Sequence, residues 1–239
     1  CASELAGSNA PLRGCKFNWF DGGVKVPAFV YGPGVVPESR AFTLRQVLRS
    51  RAYWIAVCCM ASWSMSGTGV QFHIVSIFAG RGLEPSMVAT MFSIYAFIIA
   101  GGRVVGGMLA DRMPLNVLLA MSLMCQCAAL ISLNKVDAQW LPWVFPMCSA
   151  AGSSLLMSVG ETMWVRYYGR RHLGKIRGSV STIGVAASGV GPFVMGVAFD
   201  VFGGFEQVLW GCASLAVPLA ILALAATPPK VVGGEVWVD

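Results

Sequence analysis

The chain has 239 residues, 56% of them hydrophobic and only 12% charged, about half the ~25% charge of an ordinary soluble domain. That composition excludes a water-soluble globular fold, and the net charge of +6 does not point to nucleic acid, because the basic residues form no continuous face. They mark the ends of apolar stretches, where anionic lipid and insertion topology account for them.

Residues 1 to 40 mix Gly, Pro, Ser and scattered charge (Gly22, Gly23, Pro27, Gly32, Pro33, Gly34, Pro37), a composition that predicts an irregular connecting loop. The first residue is Cys1, and no basic n-region with an apolar core follows it, so the chain reads as a fragment. From Thr43 to Arg51, Leu44, Val47 and Leu48 alternate with Arg45, Arg49 and Arg51, predicting an amphipathic helix on the membrane surface.

Six apolar stretches follow, at Tyr53 to Phe78, Met87 to Met108, Leu115 to Leu133, Trp140 to Trp164, Ser179 to Phe199 and Val208 to Ala226. Each has about the 20 residues that ~30 Å of hydrocarbon requires. Cys58, Cys59, Cys125, Cys127, Cys148 and Cys212 fall inside them and read as small packing residues, not as disulfides or metal ligands.

If the segment before Tyr53 is cytoplasmic, Arg40, Arg45, Arg49, Arg51, Arg112, Arg166, Arg170, Arg171, Lys175, Arg177 and Lys230 lie inside, and only Arg81 and Lys135 outside. This is the positive-inside pattern, with both termini cytoplasmic and the plasma membrane as the expected location. Trp54, Trp140, Trp143, Trp164 and Trp210 fall near stretch ends, where indole rings favour the headgroup layer.

Polar residues concentrate in stretch one (Ser62, Ser64, Ser66, Thr68, Gln71, His73, Ser76) and stretch four (Ser149, Ser153, Ser154, Ser158, Glu161, Thr162). These two should line an aqueous cavity, while three and six face lipid or give support. A three-helix offset is echoed by Gly107 to Asp111 and Gly196 to Asp200, both Gly-x-x-x-Asp. The predicted fold is an all-α membrane protein of six transmembrane helices, arranged as two inverted three-helix repeats. Gly102 and Gly106, and Gly184, Ser188, Pro192 and Gly196, recur every four residues in stretches two and five. Such stripes read either as tight static packing or as sliding seams, with a bend at Pro192.

Gly107-Met-Leu-Ala-Asp111-Arg112 resembles the Gly-x-Leu-Ala-Asp-Arg loop motif of the major facilitator superfamily, a superfamily that also serves as a standard example of inverted repeats. Arg166-Tyr-Tyr-Gly-Arg-Arg-His-Leu-Gly-Lys-Ile-Arg-Gly178 resembles a segment of its monocarboxylate-porter-like branch, as do Phe42 to Trp54 and Phe72-His-Ile-Val75. The resemblance covers residues 42 to about 227. It implies half of a twelve-helix fold: residues 1 to 40 as central cytoplasmic loop, 41 to 227 as the C-terminal six-helix bundle, and 228 to 239 as a short cytoplasmic tail. It further implies a partner in the missing N-terminal six-helix half, and secondary transport of a small organic anion such as a monocarboxylate by alternating access. In that branch an eighth-helix arginine precedes a glycine by four and a loop Asn or Asp by eight, as Arg103, Gly107 and Asp111 do here. Ile99 stands where some members carry an aspartate, and stretch five has no lysine. Neither proton coupling through that aspartate nor a lysine-assisted dicarboxylate site therefore carries over.

An arginine within a span costs ~2.5 to 3.5 kcal/mol on insertion scales, so Arg103 demands a partner. It either forks onto a substrate carboxylate or pairs with a helix end. Ser64, Thr68, Gln71 and Ser158 are candidate cavity donors beside it. Glu161 reads as a proton-accepting carboxylate, a gate, or a structural ion pair, with Arg103 as one candidate partner. His73, near the outer surface, senses pH, binds substrate, or is a satisfied structural residue. Asp111 caps a helix or pairs with a basic loop residue, and Arg112, Arg170 and Arg171 serve either as topology anchors or as parts of a gate.

No cofactor or metal is expected, and protons are the candidate coupling ion. An intramembrane serine hydrolase would need a histidine base in a late span, whereas the only histidines are His73 and His172, so no enzyme activity is expected. A non-transporting receptor or scaffold, or a carrier of an unrelated solute, is the alternative reading.

Overall fold

The structure, a computed structural model, describes residues 42–84, 86–232 and 235–237. The chain divides into two units, Cys1–Val35 and Val36–Asp239; the account below is of the second. The irregular segment expected over residues 1 to 40 lies outside the described residues.

A one-turn helix α1 (Leu44–Val47) precedes six long helices: α2 (Arg51–Gly80), α3 (Ser86–Arg112), α4 (Leu115–Lys135), α5 (Leu141–Tyr168), α6 (Leu173–Phe202) and α7 (Glu206–Leu224). The long helices cover the six apolar stretches. Five of them, α3 to α7, are long and apolar enough to cross a membrane, which makes this a helical, membrane-embedded protein. The 30-residue α2 has the length but not the apolarity, because its serines, Gln71 and His73 dilute the apolar side chains.

One expectation needs correction. The surface helix predicted over Thr43 to Arg51 is a single turn: Ser50, in extended conformation, ends it and starts α2 as N-cap. The side chain of Gln46 fastens that turn by accepting the Thr43 backbone N–H at 2.8 Å, one half of a capping box. In the tail, β1 (Lys230–Val232) pairs antiparallel with β2 (Glu235–Trp237). Glycines at positive φ follow three helices, Gly82 after α2, Gly169 after α5 and Gly203 after α6, where a side chain would be strained.

Helix pairing fixes direction. Tyr53 meets Ser179, Ser64 meets Gly184 and His73 meets Pro192, so α2 and α6 run parallel. Tyr95 meets Ser153 and Asp111 meets Arg166, so α3 and α5 also run parallel. In contrast α4 and α7 are antiparallel: Asn116 Nδ2 donates to Leu224 O at 2.7 Å and Asn134 Nδ2 to Glu206 O at 3.2 Å. Consecutive helices thus alternate, and one end of the bundle gathers the starts of α2, α4 and α6 with the ends of α3, α5 and α7. That end carries Arg45, Arg49, Arg51, Arg112, Arg166, Arg170, Arg171, Lys175 and Arg177; Arg81 and Lys135 stand at the other.

Two apolar clusters fill the bundle. One, at the basic end, joins Tyr53, Leu118, Leu119, Met163, Trp164, Tyr168, Ile176 and Ala223; the other joins Phe78, Leu130, Leu133, Leu141, Met195 and Leu209. Trp164 is 2% exposed, packed against Tyr53 and Tyr168, and so belongs to the core and not to the headgroup belt. Trp54, Trp140, Trp143 and Trp210 remain exposed. The apolar window of α4 is 61% buried against 11% for α3 and 17% for α6. Stretch three is therefore the supporting element of this unit, while stretches two and five present the open faces.

Candidate functional site

The parallel pair α3 and α5 holds most of the candidate residues. Gly102 and Gly106 face Ser154 and Ser158, leaving no room for a Cβ at either glycine. Each serine hydroxyl turns back onto its own helix, Ser154 Oγ to Ala150 O at 2.8 Å and Ser158 Oγ to Ser154 O at 2.9 Å. Ser158 is thus a packing surface whose proton is already committed. Tyr95 OH meets Ser153 Oγ at 2.8 Å above this seam.

Arg103 is exposed on α3 and donates Nη2 to Met157 Sδ at 3.1 Å. A thioether is a weak, uncharged acceptor, and no carboxylate among the described residues pairs with Arg103. A guanidinium with five donors therefore stands on a membrane-crossing helix with its charge uncompensated by any of the described residues. Glu161, one turn after Met157, is exposed and has no ion-pair partner among the described residues. The Arg103–Glu161 pair does not form because the seam sets Arg103 opposite Met157 and Gly106 opposite Ser158, one helical turn short of Glu161.

At the basic end Asp111 is engaged by Arg166, whose Nη2 donates to Oδ1 at 2.6 Å while Nη1 donates to the backbone carbonyl of Ala110. Arg166 thus also satisfies an orphan carbonyl of the last turn of α3, where a cation is favoured. The expected pairing of Asp111 with a basic residue exists, but the partner ends α5 and is neither Arg170 nor Arg171. Arg112, Arg170 and Arg171 are exposed at the same end.

The pair α2 and α6 is built differently. Gly69 and Gly191 bring the two backbones into contact: a Cβ on Gly69 would lie 3.0 Å from Gly191 O, and one on Gly191 would strike Met65 O. Around this crossing, Ser64 Oγ donates to Gly184 O at 3.0 Å and His73 Nε2 meets Pro192 O at 3.2 Å. Both are inter-helix fasteners and not free cavity donors. Gly184 and Gly196 have open space where a Cβ would stand, and Ser188 bonds within its own helix to Val185 O, so the close approach rests on Gly191. Gln71 is exposed on α2 and Thr68 half-buried.

Sequence reasoning passed over several groups. Arg81 forks Nε and Nη2 onto Leu133 O at 3.0 and 2.6 Å, capping the C-terminal turn of α4. Between the two apolar clusters, Gln126 Nε2 donates to Ser66 Oγ and to Trp63 O, while Gln126 Oε1 is buried without a partner among the described residues. Cys59 and Cys127 donate to Leu219 O and Ala213 O of α7, consistent with packing thiols.

No protein-family model matches the chain, and no curated protein matches it.

Proposed function

We propose that this chain is a six-helix half of a secondary transporter of the major facilitator type, in its monocarboxylate-porter-like branch, and that it moves a small organic anion by alternating access. The observation that carries the reading is Arg103: an exposed guanidinium on a membrane-crossing helix, bonded to a thioether and, among the described residues, to no carboxylate. Planar, bidentate and permanently charged, it suits the carboxylate of a small acid. Its cost in hydrocarbon is offset where the face is wetted or occupied by an anion.

Helix pairing supports the repeat. Advancing every helix by three exchanges the pair α2 and α6 with the pair α5 and α3, and maps α4 with α7 onto itself, which is what two units of inverted topology require. Asp111 and Arg166 join the ends of α3 and α5 on the basic side, so they act as a latch of the state closed toward that side. The positive-inside bias assigns that side to the cytoplasm.

The test is uptake of labelled lactate, pyruvate and oxalate in proteoliposomes. The expected result is saturable uptake of at least one acid, lowered tenfold or more by Arg103→Lys, since an ammonium replaces a fork by a point charge. Unchanged uptake in the lysine variant removes the forked contact, and saturable binding without flux favours a receptor.

A further inference from the structure

We propose that the basic end of the bundle is a docking surface for the headgroups of anionic phospholipids. Helix α1 contributes Leu44 and Val47 to the same cluster as Leu173 and Ile176 of α6, so the segment from Phe42 to Arg51 lies against the segment that opens α6. Arg45, Arg49 and Arg51 are left exposed on the first segment. Lys175 and Arg177 are exposed on the second, which Arg170 and Arg171 precede. Neither residues 42–51 nor residues 166–178 contain an aspartate or glutamate. Asp111, at the same end of the bundle, is held by Arg166. Two acid-free basic segments are thereby set side by side by apolar packing.

The occupant follows from what adjoins the charge. Trp54 is 47% exposed and Leu48 37% exposed, and the indole N–H is fixed on Leu48 O at 2.7 Å. An indole held at a helix start beside an exposed leucine marks the boundary between headgroups and acyl chains. Arg51, one turn before Trp54 on α2, then stands at phosphate depth, with Arg45 and Arg49 on the segment that leads into it. A soluble polyanion would have no use for the apolar pair, whereas a lipid uses both parts. Each basic residue at an anionic surface accounts for roughly a fivefold preference, so even two or three of these side chains give strong selectivity.

Native mass spectrometry of the full chain, released from detergent doped with equal amounts of phosphatidylglycerol and phosphatidylcholine, tests this. The expected result is at least a tenfold excess of phosphatidylglycerol adducts, falling as salt is raised, brought near parity by the combined changes R45Q, R49Q, K175Q and R177Q, and kept by Lys135→Gln at the opposite end. Parity of the two lipids on the unaltered chain overturns the proposal, as does an excess indifferent to salt. Competition by millimolar inorganic phosphate as effective as competition by lipid reassigns the surface to soluble anions and likewise overturns it. The salt titration uses the unaltered chain, so the outcome stands even if the fourfold variant fails to fold.

Discussion

The two parallel helix pairs are joined by different chemistry. Between α2 and α6 the contact is backbone on backbone at Gly69 and Gly191, with side chains of α2 bonded to carbonyls of α6. Between α3 and α5 glycines face serine side chains, and the pair is completed by an ion pair at one end. A backbone contact has no rotamer with which to yield, so the first seam is rigid. Serine hydroxyls and a guanidinium can be re-placed at small cost, so the second can tolerate a change of register. The difference sets a contact that cannot yield, between α2 and α6, against one whose side chains can be re-placed, between α3 and α5.

The strongest way to break this contrast is Gly191→Leu. Its Cβ would strike Met65 O, a backbone atom, and the expected outcome is loss of monodisperse protein in detergent by size-exclusion chromatography. Gly102→Ala forces Ser154 aside; overpacking of this kind costs about 1–3 kcal/mol, read as a lowered thermal midpoint that Ser154→Gly partly restores. No second-site change should restore Gly191→Leu. His73→Phe deletes one inter-helix hydrogen bond, with an expected loss of about 1 kcal/mol by the same assay. Asp111→Asn is the mildest. The carboxylate is 74% exposed and surface ion pairs contribute about 0–1 kcal/mol, so stability should barely move. Arg166→Leu should cost more than Asp111→Asn because it also strips the carbonyl of Ala110, and equal costs would show that the capping contact contributes nothing.

The long helices were legible because twenty-residue apolar runs admit few other structures in hydrocarbon. Gly102 and Gly106 were legible as a close approach for the same reason that a four-residue spacing keeps one face over a single turn. Over several turns that spacing fails: each four-residue step overshoots the turn by ~40°, so Gly184, Ser188, Pro192 and Gly196 wind around α6. The close approach falls instead at Gly191, seven residues after the Gly184 carbonyl that accepts from Ser64, a spacing that nearly closes two turns. Arg166 was hidden among a run of basic residues, where only the end of α5 distinguishes it. Arg103 was the most conspicuous site residue in the sequence, yet its neighbour Met157 was unforeseen, since which residue faces which across two helices is set by packing and not by either helix alone.

The antiparallel pair carries one more consequence. Asn116 holds the last turn of α7 and Asn134 holds its first, so α7 is pinned to α4 at both extremities. A rod clamped at two points can neither slip lengthwise nor swivel. The two helices therefore form one double-width post, whose register should survive replacement of either asparagine because the tie at the other end remains.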